Sequence, residues 1–129
     1  MPPRPGLSKA ELEIARIVWE LKDAGVRQVF DALPASRAID FTTVQTYLRR
    51  LEEKGYLNAR LEGRSRIYSP KVRPQTVIRE TVGEMVELLF GGETMPLMQH
   101  LVEERKFSAD DITQLRQLLD RLEGGRDAK

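Results

Sequence analysis

The feature that most constrains this chain is a change of hydrophobic period at Gly55. Before it, Val44, Leu48 and Leu51 recur at spacings of four and three, the stripe of a helix with one face in a core. After it, Tyr56, Asn58 and Arg60 alternate with Leu57, Ala59 and Leu61, the two-residue period of a strand. A glycine at the switch supplies the left-handed cap that ends a helix, and Asp40 stands where a side chain accepts from the free N–H groups of a helix start. The spacing therefore predicts a helix from about Phe41 to Lys54. Glu62-Gly63-Arg64-Ser65 supplies turn residues, and Arg66-Ile67-Tyr68-Ser69 returns as a second strand that ends at Pro70. A helix that leads at once into such a hairpin is a helix and its wing.

Thr42, Thr43, Gln45, Thr46, Arg49 and Arg50 fall outside the apolar stripe. An ordinary solvated face mixes Glu with Lys, whereas this one begins with uncharged hydrogen-bonding side chains and keeps Glu52 and Glu53 for its far end. That gradient suits a helix whose N-terminal half enters a DNA major groove. Arg60, Arg64 and Arg66 make the hairpin basic, and arginine there binds phosphate or enters a narrow minor groove. The plainer account is a hairpin kept soluble by its charge. Charge along the chain favours the first account: residues 1–73 hold 14 Lys and Arg against 9 Asp and Glu, net +5, while residues 74–129 hold 7 against 11, net −4. The basic half attracts a polyanion and the acidic half is repelled by one.

Upstream, three prolines and a glycine within Met1 to Gly6 predict a loose arm. Ser8 and Glu11 have the spacing of a reciprocal helix cap, with Leu7 and Leu12 as its apolar staple, so a first helix is expected to run to about Leu21. Its apolar face, which includes Ile14, Ile17, Val18 and Trp19, is too wide for a surface helix, and Trp19 belongs to a core. Lys22-Asp23-Ala24-Gly25 is the expected turn into a second helix from about Val26 to Leu33, with Val26, Val29, Phe30 and Leu33 on one side. A short helix, a turn and a polar-faced helix form a helix-turn-helix, and the hairpin makes it winged. The fold class expected is mainly α with a small β-hairpin wing, divided into a winged-helix DNA-binding domain at residues 1–73 and a three-helix dimerisation domain at 74–129.

In that second part Ile78, Val82, Met85 and Leu89 repeat at spacings of four, three and four, the seam of a helix that packs lengthwise on another. Gly91-Gly92 stops it, and Thr94 caps a further helix with Leu97 and Leu101 on its apolar side. Ser108 and Asp111 open a last helix with the stripe Ile112, Leu115, Leu118, Leu119 and Leu122, and Gly124 to Lys129 is a frayed tail. Three helices with Phe90 and Phe107 as their only aromatics are marginal for an independent core. Burial against a second copy solves this, and a two-fold dimer presents two basic halves symmetrically; folding back onto their own winged helix is the alternative.

Zero cysteines exclude disulfides, thiolate metal sites and cysteine nucleophiles, and the single histidine, His100, leaves no histidine constellation, so neither a metal nor a cofactor is expected. Glu52-Glu53 and Asp110-Asp111 are adjacent pairs that a helix points in different directions, and no glycine-rich phosphate loop is present, so an enzyme is not expected. No apolar run reaches the ~18 residues of a membrane span, and the start MPPRPGLSK lacks a signal-peptide core, which together predict a cytoplasmic protein without membrane insertion. A protein-interaction module built on a winged helix, and a winged-helix regulator that answers to a small molecule, stay open beside DNA binding.

The stretches LSKAELEIARIVWEL, TTVQTYLRRLEEKGYL, RSRIYSP, LFGG and FSADDITQLRQLL resemble the penicillinase-repressor family of bacterial regulators (BlaI/MecI/CopY type) from Leu7 to about Leu122. The resemblance implies a homodimeric repressor that covers a dyad-symmetric double-stranded DNA operator. By position it implies base reading by Thr42, Thr43, Gln45 and Thr46, and phosphate or wing contacts by Arg49, Arg50, Arg60, Arg64 and Arg66. Members that answer to β-lactams are cut by a membrane sensor-protease at an Asn-Phe bond after the double glycine. Here His100-Leu101 stands at that position, so the upstream sensor or protease is left undefined. Copper-responsive relatives carry a cysteine-rich tail, which a chain without cysteine lacks.

Overall fold

The computed structural model describes residues 4–104 and 107–127, and the ends of the expected arm and tail, at 1–3 and 128–129, lie outside the described residues. The chain forms two compact units, Met1–Glu80 and Thr81–Lys129. In the first, helix α1 (Lys9–Leu21) is followed by strand β1 (Ala24–Gly25), helices α2 (Val26–Ala32) and α3 (Phe41–Glu53), strands β2 (Leu57–Glu62) and β3 (Ser65–Pro70), and the first turns of α4 (Pro74–Phe90). The second unit contains the rest of α4, then α5 (Thr94–Glu104) and α6 (Ala109–Asp127).

Local chemistry sets the helix ends. The Glu11 N–H donates to Ser8 Oγ at 3.2 Å while the Ser8 N–H donates to Glu11 Oε1 at 2.8 Å, so the expected reciprocal cap of α1 is present. Asp40 Oδ1 accepts from the Thr43 N–H at 2.8 Å and caps α3. At the far end of α3, Gly55 has φ of +88°, the Gly55 N–H donates to Glu52 O at 3.0 Å, and the Tyr56 N–H donates to Leu51 O at 2.9 Å. These two bonds close a Schellman cap, which satisfies carbonyls left free by the helix and points the chain directly into β2.

The core of the first unit follows from the periodicities. Ile14, Ala15 and Val18 of α1, Val29 of α2, and Val44, Leu48 and Leu51 of α3 are buried together with Leu57, Tyr68 and Val77. Trp19 packs against this cluster while half-buried, and Phe30 meets Phe41 edge-to-face at 5.8 Å between ring centroids, joining α2 to the start of α3. Val77 also explains why the first unit extends to Glu80: the opening turns of α4 belong to this core.

Three expectations change. Ala24-Gly25 is not only a turn but a third, two-residue strand: it pairs antiparallel with β3, Ala24 opposite Tyr68 and Gly25 opposite Ile67, giving the sheet order β1-β3-β2. The chain enters it through Lys22, at φ 72° and ψ −55°, where the Asp23 N–H donates to Leu21 O at 2.9 Å in a γ-turn. Second, Arg4, Pro5 and Gly6 are held rather than loose. Pro5 O accepts from the Tyr56 hydroxyl at 2.7 Å, Gly6 O accepts from Lys54 Nζ at 3.0 Å, and the Arg4 guanidinium lies over the Tyr56 ring and pairs with Glu80. Third, α6 does not stop at Gly124 but continues to Asp127.

Gly91 and Gly92, at φ of +60° and +86°, end α4 as expected, and Ser108 and Asp111 exchange cap bonds at the start of α6. Among the described residues of the second unit none is fully buried. Val82, Met85 and Leu89 on α4 and Ile112, Leu115, Leu118, Leu119 and Leu122 on α6 are exposed, as is Ile78 at the end of the first unit. Leu97 and Leu101 on α5 are half-buried. Among the described residues, no helix is long and apolar enough to cross a membrane.

Candidate nucleic-acid interface

Helix α3 divides its residues between two tasks by rotation alone. With about 100° per residue, Val44, Leu48 and Leu51 cluster on one side, and Thr42, Thr46 and Arg49 fall opposite. The accessibilities agree: the first three are buried, while Thr42, Thr46, Arg49 and Arg50 are exposed. Thr43 and Gln45 lie on opposite flanks of the outward face and are half-buried. The four proposed base readers thus occupy the first two turns, with two at the crest and one on each shoulder.

The hydroxyl of Thr46 donates to Thr42 O one turn back, at 3.1 Å. In this arrangement the Thr46 oxygen has only lone pairs to offer, so it suits a donor such as an adenine or cytosine amino group, and its methyl suits the thymine methyl. At the start of the helix, hydrogen bonding from Thr43, through its side chain first and its N–H second, holds the Asp40 carboxyl below its usual range. Asp40 therefore caps as an anion, and its charge stays at the helix N-terminus.

The wing tip is a two-residue loop, because Glu62 is paired with Ser65 in the strand register. Gly63 has φ of +62° at the first loop position, the conformation a tight hairpin turn of this length demands and L side chains resist. Arg64 follows it and is exposed. The register also separates the other two wing arginines. Arg66 lies opposite Leu61 and shares a sheet face with Tyr68, whereas Arg60 lies opposite Ile67 on the reverse face.

Their partners differ accordingly. Arg66 Nη2 pairs with Glu52 Oε1 at 2.7 Å, fastening the wing to the C-terminal end of α3, and its pKa is raised by hydrogen bonding to Tyr68 and then to Glu52. Arg60 Nη2 is held between Glu62 Oε2 at 2.6 Å and Asp23 Oδ2 at 3.2 Å, and its pKa is raised first by Glu62 and then by Asp23. Among the described residues, Arg49, Arg50 and Arg64 form no ion pair with a carboxylate. The structure thus brings Arg49 and Arg64 to one cleft between α3 and the wing, together with Gln45 and Arg66, and Arg60 is not among the residues that line it.

The same cleft is lined by Arg27 of α2, which is absent from the expected set. Its guanidinium sits 5.0 Å from the Phe41 ring centroid and 5.7 Å from that of Phe30. The available signal is its spacing of three from Phe30, which places both on one side of α2. On α5, His100 is exposed and Leu101 half-buried. Among the described residues, no group of three or more His, Cys, Asp and Glu is placed to hold a metal ion.

A family model described as penicillinase repressor matches residues 7–121. The chain is 28% identical over 116 residues to the penicillinase repressor of Bacillus licheniformis, covering 90% of this chain and 91% of that one. It is 34% identical over 101 residues to the transcriptional regulator BlaI of Mycobacterium tuberculosis (strain CDC 1551 / Oshkosh), covering 78% of this chain and 72% of that one. Among solved structures, the DNA-binding domain of the repressor BlaI matches with a TM-score of 0.51 at 34% identity, over 57% of this chain and 90% of that one.

Proposed function

Because the chain belongs to the penicillinase repressor family, we propose that it is a sequence-specific DNA-binding transcriptional repressor in which α3 reads the major groove and the wing tip follows the backbone beside it. The observation that carries this is the uncommitted outer face of α3: Thr42, Thr46, Arg49 and Arg50 are exposed and take no part in the core formed by the opposite face. Thr42, Thr43, Gln45 and Thr46 supply base contacts. Arg49, Arg50 and Arg64, with no carboxylate partner among the described residues, supply phosphate contacts; Arg60 and Arg66 first hold the wing in place.

The protein acts as a homodimer on a dyad-symmetric operator, and the residues that dimerise are the exposed stripes of α4 and α6, with Leu97 and Leu101 of α5. What supports this is that these apolar residues are uncovered in the single chain, whereas soluble proteins seldom leave such stripes in water. Release from the operator does not proceed by cleavage of an Asn-Phe bond at the α5 position, since His100-Leu101 stands there.

Selection of bound duplexes from a random pool tests the proposal. An inverted repeat should emerge, Thr46→Ala should lose selectivity at one position of each half-site, and Arg50→Ala should reduce the salt slope of binding by about 1.8, one phosphate contact from each protomer. Sedimentation should show a dimer that Leu118→Glu splits. No enriched sequence, with both DNA-face variants bound like the parent, would remove the repressor assignment.

A further inference from the structure

The cleft between α3 and the wing is more basic than the α3 and wing residues alone make it. Arg27, Arg49, Arg64 and Arg66 come from three separate parts of the chain and line one concavity, with Gln28 and Gln45 between them. Of the carboxylates beside them, Glu52 engages Arg66, while Asp31 reaches Arg27 only at 3.9 Å in an exposed pair across one helical turn. Exposed pairs of this kind hold little of an arginine's charge. Arg49 and Arg64, without a carboxylate among the described residues, and Arg27, with only a distant one, leave the concavity with positive charge that a polyanion lying among them would relieve.

Arg27 differs from Arg49 and Arg64 in what backs it, and from Arg66, which lies over Tyr68 at 5.9 Å, in not being engaged by a close carboxylate. Its guanidinium lies over Phe41 and Phe30, which are themselves locked edge-to-face at 5.8 Å. Rings behind a guanidinium restrain its position and leave N–H edges to meet the oxygens of a phosphate. A freely rotating surface arginine must lose that freedom on binding, and this one has already lost part of it.

We propose that Arg27 is a further DNA contact, a phosphate anchor on α2 that closes the third side of the cleft, so that one backbone strand of the duplex runs between α2, α3 and the wing. The proposal rests on the repressor assignment above. An anchor of this kind carries no sequence information, so its effect on operator and random DNA is the same.

The test is fluorescence-anisotropy binding of the full chain to a selected operator duplex and to a random-sequence duplex, at salt steps from 50 to 200 mM. Arg27→Gln keeps a polar chain of similar reach and removes the charge. Its salt slope should be smaller than the parent's by about 1.8, one phosphate contact from each protomer of the dimer, which makes the parent-to-variant affinity ratio about 12-fold larger at 50 mM than at 200 mM. The change should be equal on both duplexes, with operator preference intact. Arg27→Lys should keep the parent slope while binding both duplexes more weakly, because it retains the charge and loses the planar fork. Arg16→Gln, on the exposed side of α1, should match the parent. A parent-like slope for Arg27→Gln alongside a reduced slope for Arg49→Gln overturns the anchor and leaves the repressor standing. Loss of slope in Arg27→Lys as well shows that Arg27 only packs α2 on α3, which also overturns it. A parent that binds neither duplex sinks both assignments.

Discussion

Replacing Glu11 by Gln should loosen the C-terminal end of α3 without touching its exposed outer face. Glu11 is 3% exposed, the one charged residue in the buried set of the described chain, and one oxygen serves two donors. The Ser8 N–H reaches Oε1 at 2.8 Å, and so does Lys54 Nζ, at the C-terminal cap of α3. Burial is the strongest single influence on this carboxyl and pushes its pKa up; the hydrogen bonds from Lys54 and Ser8 together outweigh it, and the net shift is down from 4.5. A hydrogen bond to a charged group contributes about 1.5–3 kcal/mol. Lys54 is 26% exposed and keeps its bond to Gly6 O, so it recovers part of its solvation, and a glutamine oxygen still serves Ser8. Glu11→Gln should therefore cost about 1.5 kcal/mol, and Glu11→Ala, which also strands the Ser8 N–H, about 3 kcal/mol.

The single Trp19 lies on α1 of the same unit, so its fluorescence during urea denaturation reports the relevant transition. Because the folded pKa is depressed, the stability contributed by the ionised carboxyl is complete well above 4.5 and fades as pH falls through that value and then through the folded one. The gap between parent and Glu11→Gln should shrink over that window. A gap under about 0.5 kcal/mol at neutral pH, within the ordinary scatter of surface substitutions, or a gap that does not change with acid, would refute the reasoning.

Two further outcomes follow from geometry. Arg60→Ala should leave the salt slope of DNA binding unchanged, since Asp23 and Glu62 already engage that guanidinium; a slope reduced by about 1.8, one contact from each protomer, would show that Arg60 leaves them for phosphate. Lys22→Gly should raise stability by about 1 kcal/mol, because a left-handed γ-turn position strains any residue with a Cβ by more than the added chain entropy of glycine costs; a denaturation midpoint at or below the parent's would count against that strain.

Where side-chain spacing and local hydrogen bonds decide, the sequence was sufficient. LSKAE announces the α1 cap, DFTT announces the α3 start, and the glycine at 55 announces the Schellman turn. The expected assignment to a repressor family is likewise met by the family match over residues 7–121. What was hidden depends on partners distant in the chain. Two residues cannot display an alternation, so β1 is visible only once β3 lies beside Ala24 and Gly25. The proline-rich arm reads as loose because nothing local holds it; Tyr56, Lys54 and Glu80 do so from far along the sequence. Arg60, Arg64 and Arg66 look equivalent as a basic cluster, and only the strand register reveals that Arg60 and Arg66 face opposite ways. Gly124 and Gly125 suggest a helix end that α6 passes through.

The two-sided construction of α3 has a consequence for how operator preference changes over generations. Thr42 and Thr46, the proposed base readers, stand opposite the residues that fold the helix, so on that proposal a substitution at either should alter which base pairs are favoured while leaving Val44, Leu48 and Leu51 in place. If those residues read bases as proposed, new specificities are reachable one residue at a time through intermediates that keep the core of α3. A duplicated copy of such a gene can drift to a different promoter without first surviving a loss of structure.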